Sequence, residues 1–109
     1  NIDPSLFSIK PDYLLRVKGM SMKDAGILED DLLIVHKISG DCFKKITGKI
    51  VVARIEEEVT VKRFFKKSNM IFLEPENSNF KTIKLDIQKQ PIVIEGLGVG
   101  VIRNSKLGL

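Results

Sequence analysis

"KIVVARIEEEVTVKRFFK", residues 49–66, decides how the rest of the chain is read. Two runs rich in β-branched and apolar residues, 49–55 and 58–66, flank the short polar connection "IEEEV". Runs of this composition bounded by polar turn residues read as strands, and a connection this short predicts a β-hairpin. Along the second run, alternation puts Val59, Val61, Arg63 and Phe65 on one face and Thr60, Lys62 and Phe64 on the other. Both faces carry apolar groups, so the strand is expected to be covered on both sides.

Working outward, the same pattern recurs at 13–18 (YLLRVK), 31–37 (DLLIVHK), 70–75 (MIFLEP), 81–87 (KTIKLDI) and 91–102 (PIVIEGLGVGVI). No window holds a sustained helical period, and "SMKDAGI" at 21–27 offers one helical turn at most. About seven strands with frequent turns predict a mostly β protein, a single compact twisted sheet or partly closed barrel. Residues 1–109 read as one domain without repeats, low-complexity segments or linkers. The first dozen residues hold two prolines, Pro4 and Pro11, and suggest an irregular arm. The last run carries glycine at 96, 98 and 100, the mark of close backbone approach or bending. Its long apolar strand, with Val99 and Val101, could pair with a second copy across a two-fold axis or lie centrally in the sheet.

Composition excludes several classes. The net charge is +4, and the lysines fall in scattered pairs such as Lys44–Lys45 and Lys66–Lys67, unlike the clustered patch of a nucleic-acid surface. Cys42 is the single cysteine, so no internal disulfide can form, which suits a reducing compartment. His36 is the single histidine, in the apolar run "LLIVHK", and reads as a strand-end residue without catalytic duty. This scarcity excludes a His/Cys metal site with the usual spacing, and no cofactor is expected. The N-terminus lacks a basic-then-apolar signal pattern, and no apolar run approaches the roughly 18 residues of a membrane helix. A cytoplasmic location without membrane contact is expected. The chain does not begin with Met, which favours a piece of a longer protein.

Chemistry could reside in "VKGMSM", residues 17–22, where Ser21 follows a glycine-led turn at a strand end. A serine after glycine is ordinarily a turn former. Lys62, flanked by apolar neighbours, supplies the second observation. Burial disfavours an ammonium, and a neutral amine can take a proton from a serine hydroxyl, the Ser–Lys form of an activated nucleophile. The glycine-led turn could aim backbone N–H groups at the developing oxyanion. From composition and pattern alone, a turn serine and a lysine whose head reaches water is the better reading. Two other stretches are set aside: "SNFK" at 78–81 matches a Ser-x-x-Lys spacing by chance, and "EEE" at 56–58 reads as a solvated turn.

"DPSLF", "DYLLRVKGMSMKDAGILEDDLLIVHK", "GKIVVARIEEEVTVKRF", "PEN" and "IEGLGVGVIRN" together resemble the catalytic domain of the LexA family of self-cleaving bacterial repressors. UmuD and the self-cleaving phage repressors are its near relatives. The resemblance runs in register over nearly the whole chain, and the pair of motifs G-M-S-M-K-D-A-G-I and V-T-V-K-R-F is its specific part. It implies the largely β fold of the LexA and signal-peptidase type, with Ser21 as nucleophile and Lys62 as general base. It places the oxyanion hole at the N–H groups of Ser21 and Met20, and the substrate cleft around Thr60 and Met22. It implies cleavage of one Ala–Gly bond upstream in the protein's own chain, stimulated by RecA nucleoprotein filaments. It also implies a homodimer held through this domain, with operator DNA bound only by an N-terminal winged helix-turn-helix that this sequence does not contain.

The sequence departs from the family in several ways: the scissile Ala–Gly is expected further ahead of the serine than the 20 residues present here, so the cleavage segment is expected to be missing from this sequence. Ala25–Gly26 follows Ser21 and so is not the target bond. The loop "ISGDCFKKITGK" is longer than usual, and "EDD" lacks a glycine. Two alternatives stand beside the repressor reading: a UmuD-like or phage-repressor autopeptidase, and a non-catalytic dimerisation module in which Ser21 and Lys62 are incidental.

Overall fold

The computed structural model describes residues 11–38 and 43–103, so Cys42 and the first ten residues of the expected arm lie outside the described residues. The hairpin forms as its sequence demands. Strand β3 (Ile50–Ile55) runs antiparallel to β4 (Glu58–Lys67), with Ile55 opposite Glu58 and only Glu56 and Glu57 in the turn. Glu56 takes a left-handed φ of 56°, which the two-residue connection requires. Around this pair stand β1 (Tyr13–Arg16), β2 (Leu32–Lys37), β5 (Met70–Glu74), β6 (Ile83–Asp86) and β7 (Val93–Ile102). They form one seven-stranded antiparallel sheet in the order β1-β2-β7-β3-β4-β5-β6. The expected mostly β class and the seven strands are therefore present, in a single curled sheet. The only helical piece among the described residues is a 3-10 turn over Lys23–Ala25, inside the stretch that offered one helical turn.

Alternation on β3 sorts the core onto both sheet faces. Val51 and Ala53 enter one cluster with Phe64, Ile71, Leu73, Leu85 and Ile94. Val52 enters the other, with Val17, Met22, Ile27, Leu33, Val35 and Val61. On β4, Val61 and Phe64 serve opposite clusters, so the strand is covered on both sides as its sequence suggested. The first cluster is closed by the loop before β3, through Ile46 and Phe43, whose ring lies 5.6 Å from that of Phe64. The second is closed by the loop between β1 and β2, which carries Ser21.

The long last strand is central rather than peripheral, with β2 on one side and β3 on the other. Two of its glycines answer to crowding. A Cβ at Gly96 would lie 2.5 Å from Val35 Cγ1 and 2.7 Å from the His36 carbonyl oxygen, closer than atoms can approach. One at Gly98 would lie 3.0 Å from Leu33 Cδ1. The register against β2 slips at Val99, and that against β3 slips at Glu95, so β7 carries two bulges. Beyond Leu97, β7 pairs only with β2, because its pairing with β3 ends there.

Most strands are shorter than their apolar runs, and for β1 and β6 the hydrogen bonds at the C-terminal end show why. β1 stops at Arg16 because Val17 leaves the ladder to exchange backbone bonds with the next turn: Val17 N–H donates to Asp31 O and Asp30 N–H to Val17 O, each at 2.8 Å. β6 stops at Asp86, whose carboxylate accepts the Gln88 N–H at 2.9 Å and whose carbonyl accepts the N–H groups of Lys89 and Gln90.

That first turn is also tied to the far end of the chain. Asp31 is 2% exposed, and Arg103, just past β7, grips it in a fork, Nε to Oδ1 and Nη2 to Oδ2, both at 2.8 Å. The Leu28 N–H donates to the same carboxylate at 2.7 Å. The Arg103 hydrogen bonds, ahead of the Leu28 contact, hold the Asp31 carboxyl below its ordinary range despite burial. A carboxylate whose folded pKa is depressed stabilises the fold above its ordinary pKa, and that stability is lost as pH falls through the folded value. Arg103→Ala is therefore expected to destabilise the fold at neutral pH, by stranding a buried carboxylate. Asp31→Asn should flatten the acid limb of the stability curve below about pH 4. Urea titrations across pH check both, and an unchanged acid limb in Asp31→Asn would remove this pair from the account.

Candidate active site

The serine turn is built by backbone geometry. Gly19 sits at φ 77°, a left-handed conformation costly to other residues, while a Cβ there would touch nothing within 4 Å. The requirement is thus conformation and not space. Lys23 N–H closes the turn on Met20 O at 3.2 Å, the 3-10 turn follows, and Gly26 ends it at φ 80° with its N–H on Lys23 O. Met22 (2% exposed) and Ile27 (3%) then drive into the core under the sheet. Ser21 is therefore carried on a loop nailed down at both ends by apolar side chains.

Lys62 arrives from β4. Its Nζ donates to Ser21 Oγ at 3.1 Å and also to Thr60 Oγ1, two residues back on the same strand face. The residue is 8% exposed. Desolvation by burial is the one cause that shifts its titration, and it holds the ammonium below the ordinary lysine range. A hydroxyl and a water-poor amine in contact have the geometry that a nucleophile and its base would need, without histidine or carboxylate. His36 stands on β2 with Nδ1 3.2 Å from Asp12 Oδ2, and it does not line the groove around Ser21. Among the described residues no cluster of His, Cys, Asp and Glu could hold a metal ion.

One segment holds the two groups together. After β5, Glu76 donates its N–H to Ser21 O (2.8 Å) and accepts the Asp24 N–H (2.7 Å) on its carbonyl. Its carboxylate accepts from Arg63 Nε at 2.8 Å, next to Lys62, and Arg63 Nη1 reaches the Gly48 carbonyl at 2.7 Å. Asn77, 8% exposed, donates Nδ2 to Met20 O at 2.9 Å. The bracing by Arg63, Glu76 and Asn77 has no local signature in the amino-acid pattern; its one trace is the turn-forming "PEN" before "SNF".

The pair lies in a groove of about 270 Å³ lined by Leu15 to Lys18, Ser21, Met22 and Val59 to Lys62. Thr60 and Met22 thus both border it, Met22 while also packed in the core. A larger hollow of about 710 Å³, more apolar, shares Leu15 and Val59 with it. The two form one trough. Its walls include strand edges without partners in the sheet: β1 is the terminal strand, and β5 pairs with β4 only from Arg63 onward, leaving Glu58–Lys62 open on that edge. Of the other expected positions, Val101 packs partly against the second core cluster and Val99 occupies the bulge on β7, both away from the groove.

A curled β domain with a serine turn, a buried strand lysine and an open-edged trough has the outline of a peptidase. Residues 1–99 match the Peptidase S24-like family, and the chain belongs to it. It is similar to curated proteins named LexA repressor from Shewanella sp. strain MR-7, Shewanella sp. strain W3-18-1 and Shewanella baltica strain OS155, at 53% identity over 104 residues in each case. Those matches cover 95% of this chain and 48% of each relative, so the chain spans about half their length.

A lysine kept out of water without a counter-charge is a liability to the fold. Lys62→Met, which keeps the length and removes the charge, is expected to raise the unfolding midpoint by a few degrees at neutral pH. The gain should fade as pH climbs toward the ordinary lysine pKa, because above it the unfolded chain no longer prefers to bind the proton. Thermal melts of the two proteins at neutral and alkaline pH check this; a less stable Met variant at both would contradict it.

Proposed function

We propose that this chain is the self-cleaving domain of a LexA-type repressor, a serine endopeptidase in which Ser21 is the nucleophile and Lys62 the general base. The observation that carries the reading is the 3.1 Å contact between Ser21 Oγ and the amine of Lys62, a residue 8% exposed. Unprotonated Lys62 takes the hydroxyl proton as Ser21 Oγ bonds to the scissile carbonyl carbon. The carbonyl oxygen becomes an oxyanion, received by the Ser21 N–H with the Met20 N–H beside it. On collapse the C–N bond breaks, and Lys62 returns its proton to the departing amine. Water then releases the acyl group from Ser21 by the same steps in reverse order.

The substrate is an extended segment of the protein's own chain, cut at an Ala–Gly bond upstream. The open edges of β1 and of Glu58–Lys62 suit a strand added by main-chain hydrogen bonds, which would set one carbonyl against Ser21. In the intact repressor this domain supplies the two-fold contact, and an N-terminal domain binds operator DNA. RecA nucleoprotein filaments stimulate the cut during the response to DNA damage, and cleavage separates the halves and ends the avidity that holds the operator. A bacterial cytoplasmic location goes with these partners. The stretch of β7 beyond Leu97, which pairs on one side only, favours a dimer contact there.

In a chain that includes the upstream segment, Ser21→Ala and Lys62→Ala should each abolish cleavage. The rate should climb with pH through the depressed pKa of Lys62 and then level, because only the neutral amine is a base. Mass spectrometry of the products at neutral and alkaline pH reads this. Normal cleavage by Lys62→Ala would reject the base, and no cleavage with or without a RecA filament would leave a dimerisation module.

Val99→Glu, at the bulge, should convert dimers to monomers in sedimentation without loss of fold. An unchanged dimer would place the contact elsewhere.

A further inference from the structure

Three buried polar or charged side chains stand out among the described residues: Asp31, Lys62 and Asn77. Asp31 is matched by Arg103, and Lys62 faces Ser21. Asn77 has no such explanation until its partners are followed. The Asn79 N–H donates to its Oδ1 at 3.0 Å, which fixes the oxygen and therefore the orientation of the amide. Its Nδ2 then donates to the carbonyl of Met20 at 2.9 Å, across 57 positions of sequence.

That carbonyl is one end of the Met20–Ser21 peptide, and the other end is the Ser21 N–H. A trans peptide is planar, so a carbonyl held in one direction sends the N–H in the opposite direction. Met20 O also accepts the Lys23 N–H at 3.2 Å, so two donors pin it. The following peptide is held as well, through the Glu76 N–H on Ser21 O. No backbone carbonyl among the described residues takes the Ser21 N–H. Donation to the carbonyl also polarises the peptide and strengthens its N–H as a donor.

We propose that Asn77 is a positioning residue, whose amide orients the Met20–Ser21 peptide so that the Ser21 N–H meets the oxyanion formed on the attacked carbonyl. The inference rests on the nucleophile–base reading above. Asn77 does not touch the reacting atoms; it acts through the peptide it holds.

The test uses this chain and a phosphonofluoridate. Ser21 Oγ bonds to phosphorus, fluoride leaves, Lys62 takes the hydroxyl proton, and the phosphoryl oxygen occupies the oxyanion position. Mass spectrometry follows labelling of Ser21 over time from pH 6 to 10, with the folded fraction of each variant read by circular dichroism. Asn77→Asp keeps the shape and the acceptor for the Asn79 N–H but removes the donor to Met20. Asn77→Ala removes both. Both variants should label about tenfold more slowly at the alkaline plateau, and Asn77→Ala should keep the pH midpoint set by Lys62. Asn77→Asp labelling as fast as the unsubstituted chain would overturn the proposal, by showing that only the loop contact matters. So would a loss in Asn77→Ala no larger than its loss of folded fraction. If the unsubstituted chain is not labelled at Ser21, or Lys62→Ala labels normally, the nucleophile–base reading falls and this inference with it. Lys62-dependent labelling with unaffected Asn77 variants would sink the positioning role alone.

Discussion

The site depends on an amine kept where water would not leave it. Lys62 and Ser21 are 41 positions apart and touch at 3.1 Å, with the lysine 8% exposed. A flexible four-carbon stem would ordinarily carry its head to solvent. Here Phe64, two residues on, is locked in one core cluster, and Val61, one residue back, is locked in the other. The strand cannot roll to release the head, and the hydroxyls of Ser21 and Thr60 are the polar partners left to it. The serine side of the contact is fixed just as firmly by Met22 and Ile27. Glu76 then spans from one side to the other, with its backbone on the serine loop and its carboxylate on Arg63.

Strands that outrun their neighbours give the sheet its open places. β4 extends five residues ahead of its pairing with β5, and β7 extends beyond its pairing with β3. Unpaired strand edges invite other chains, and proteins usually blunt or cover them. In this fold one such edge borders the trough that contains Ser21 and Lys62, and the other lies along the bulged end of β7. The two edges lie on different parts of the sheet, so the substrate strand and the second subunit proposed above would not compete for one edge.

Much of the fold was legible because hydrophobic alternation and turn residues are local signals. The hairpin of 49–66 and the seven strands emerged from them, while strand ends did not. Val17 reads as a continuation of β1 until Asp30 and Asp31 are seen to take its hydrogen bonds, a contact made by the next turn. Ser21 and Lys62 were legible as residue types in suggestive settings, and family resemblance joined them. Their contact itself is a product of register and curl, which no local pattern encodes. Asn77 and Arg103 were illegible for the same reason: each acts across a long sequence separation, 57 positions to Met20 and 72 to Asp31, through a single side chain. The glycines of β7 signalled close approach, and the crowding of Gly96 against Val35 and His36 is that approach.

The loop that bears Ser21 contributes Val17, Met22 and Ile27 to a core cluster shared with β2, β3 and β4. Segments that open easily have few buried contacts and many solvent-facing backbone bonds. These buried side chains tie the loop to the core, so its hydrogen-bonded amides, among them those of Asp24 and Ile27, should exchange mainly when the surrounding core opens. Fluctuation cannot switch such a loop on and off. In the self-cleaving role proposed above, a serine loop tied this closely to the core would be timed from outside it, by whatever governs the arrival of the bond to be cut.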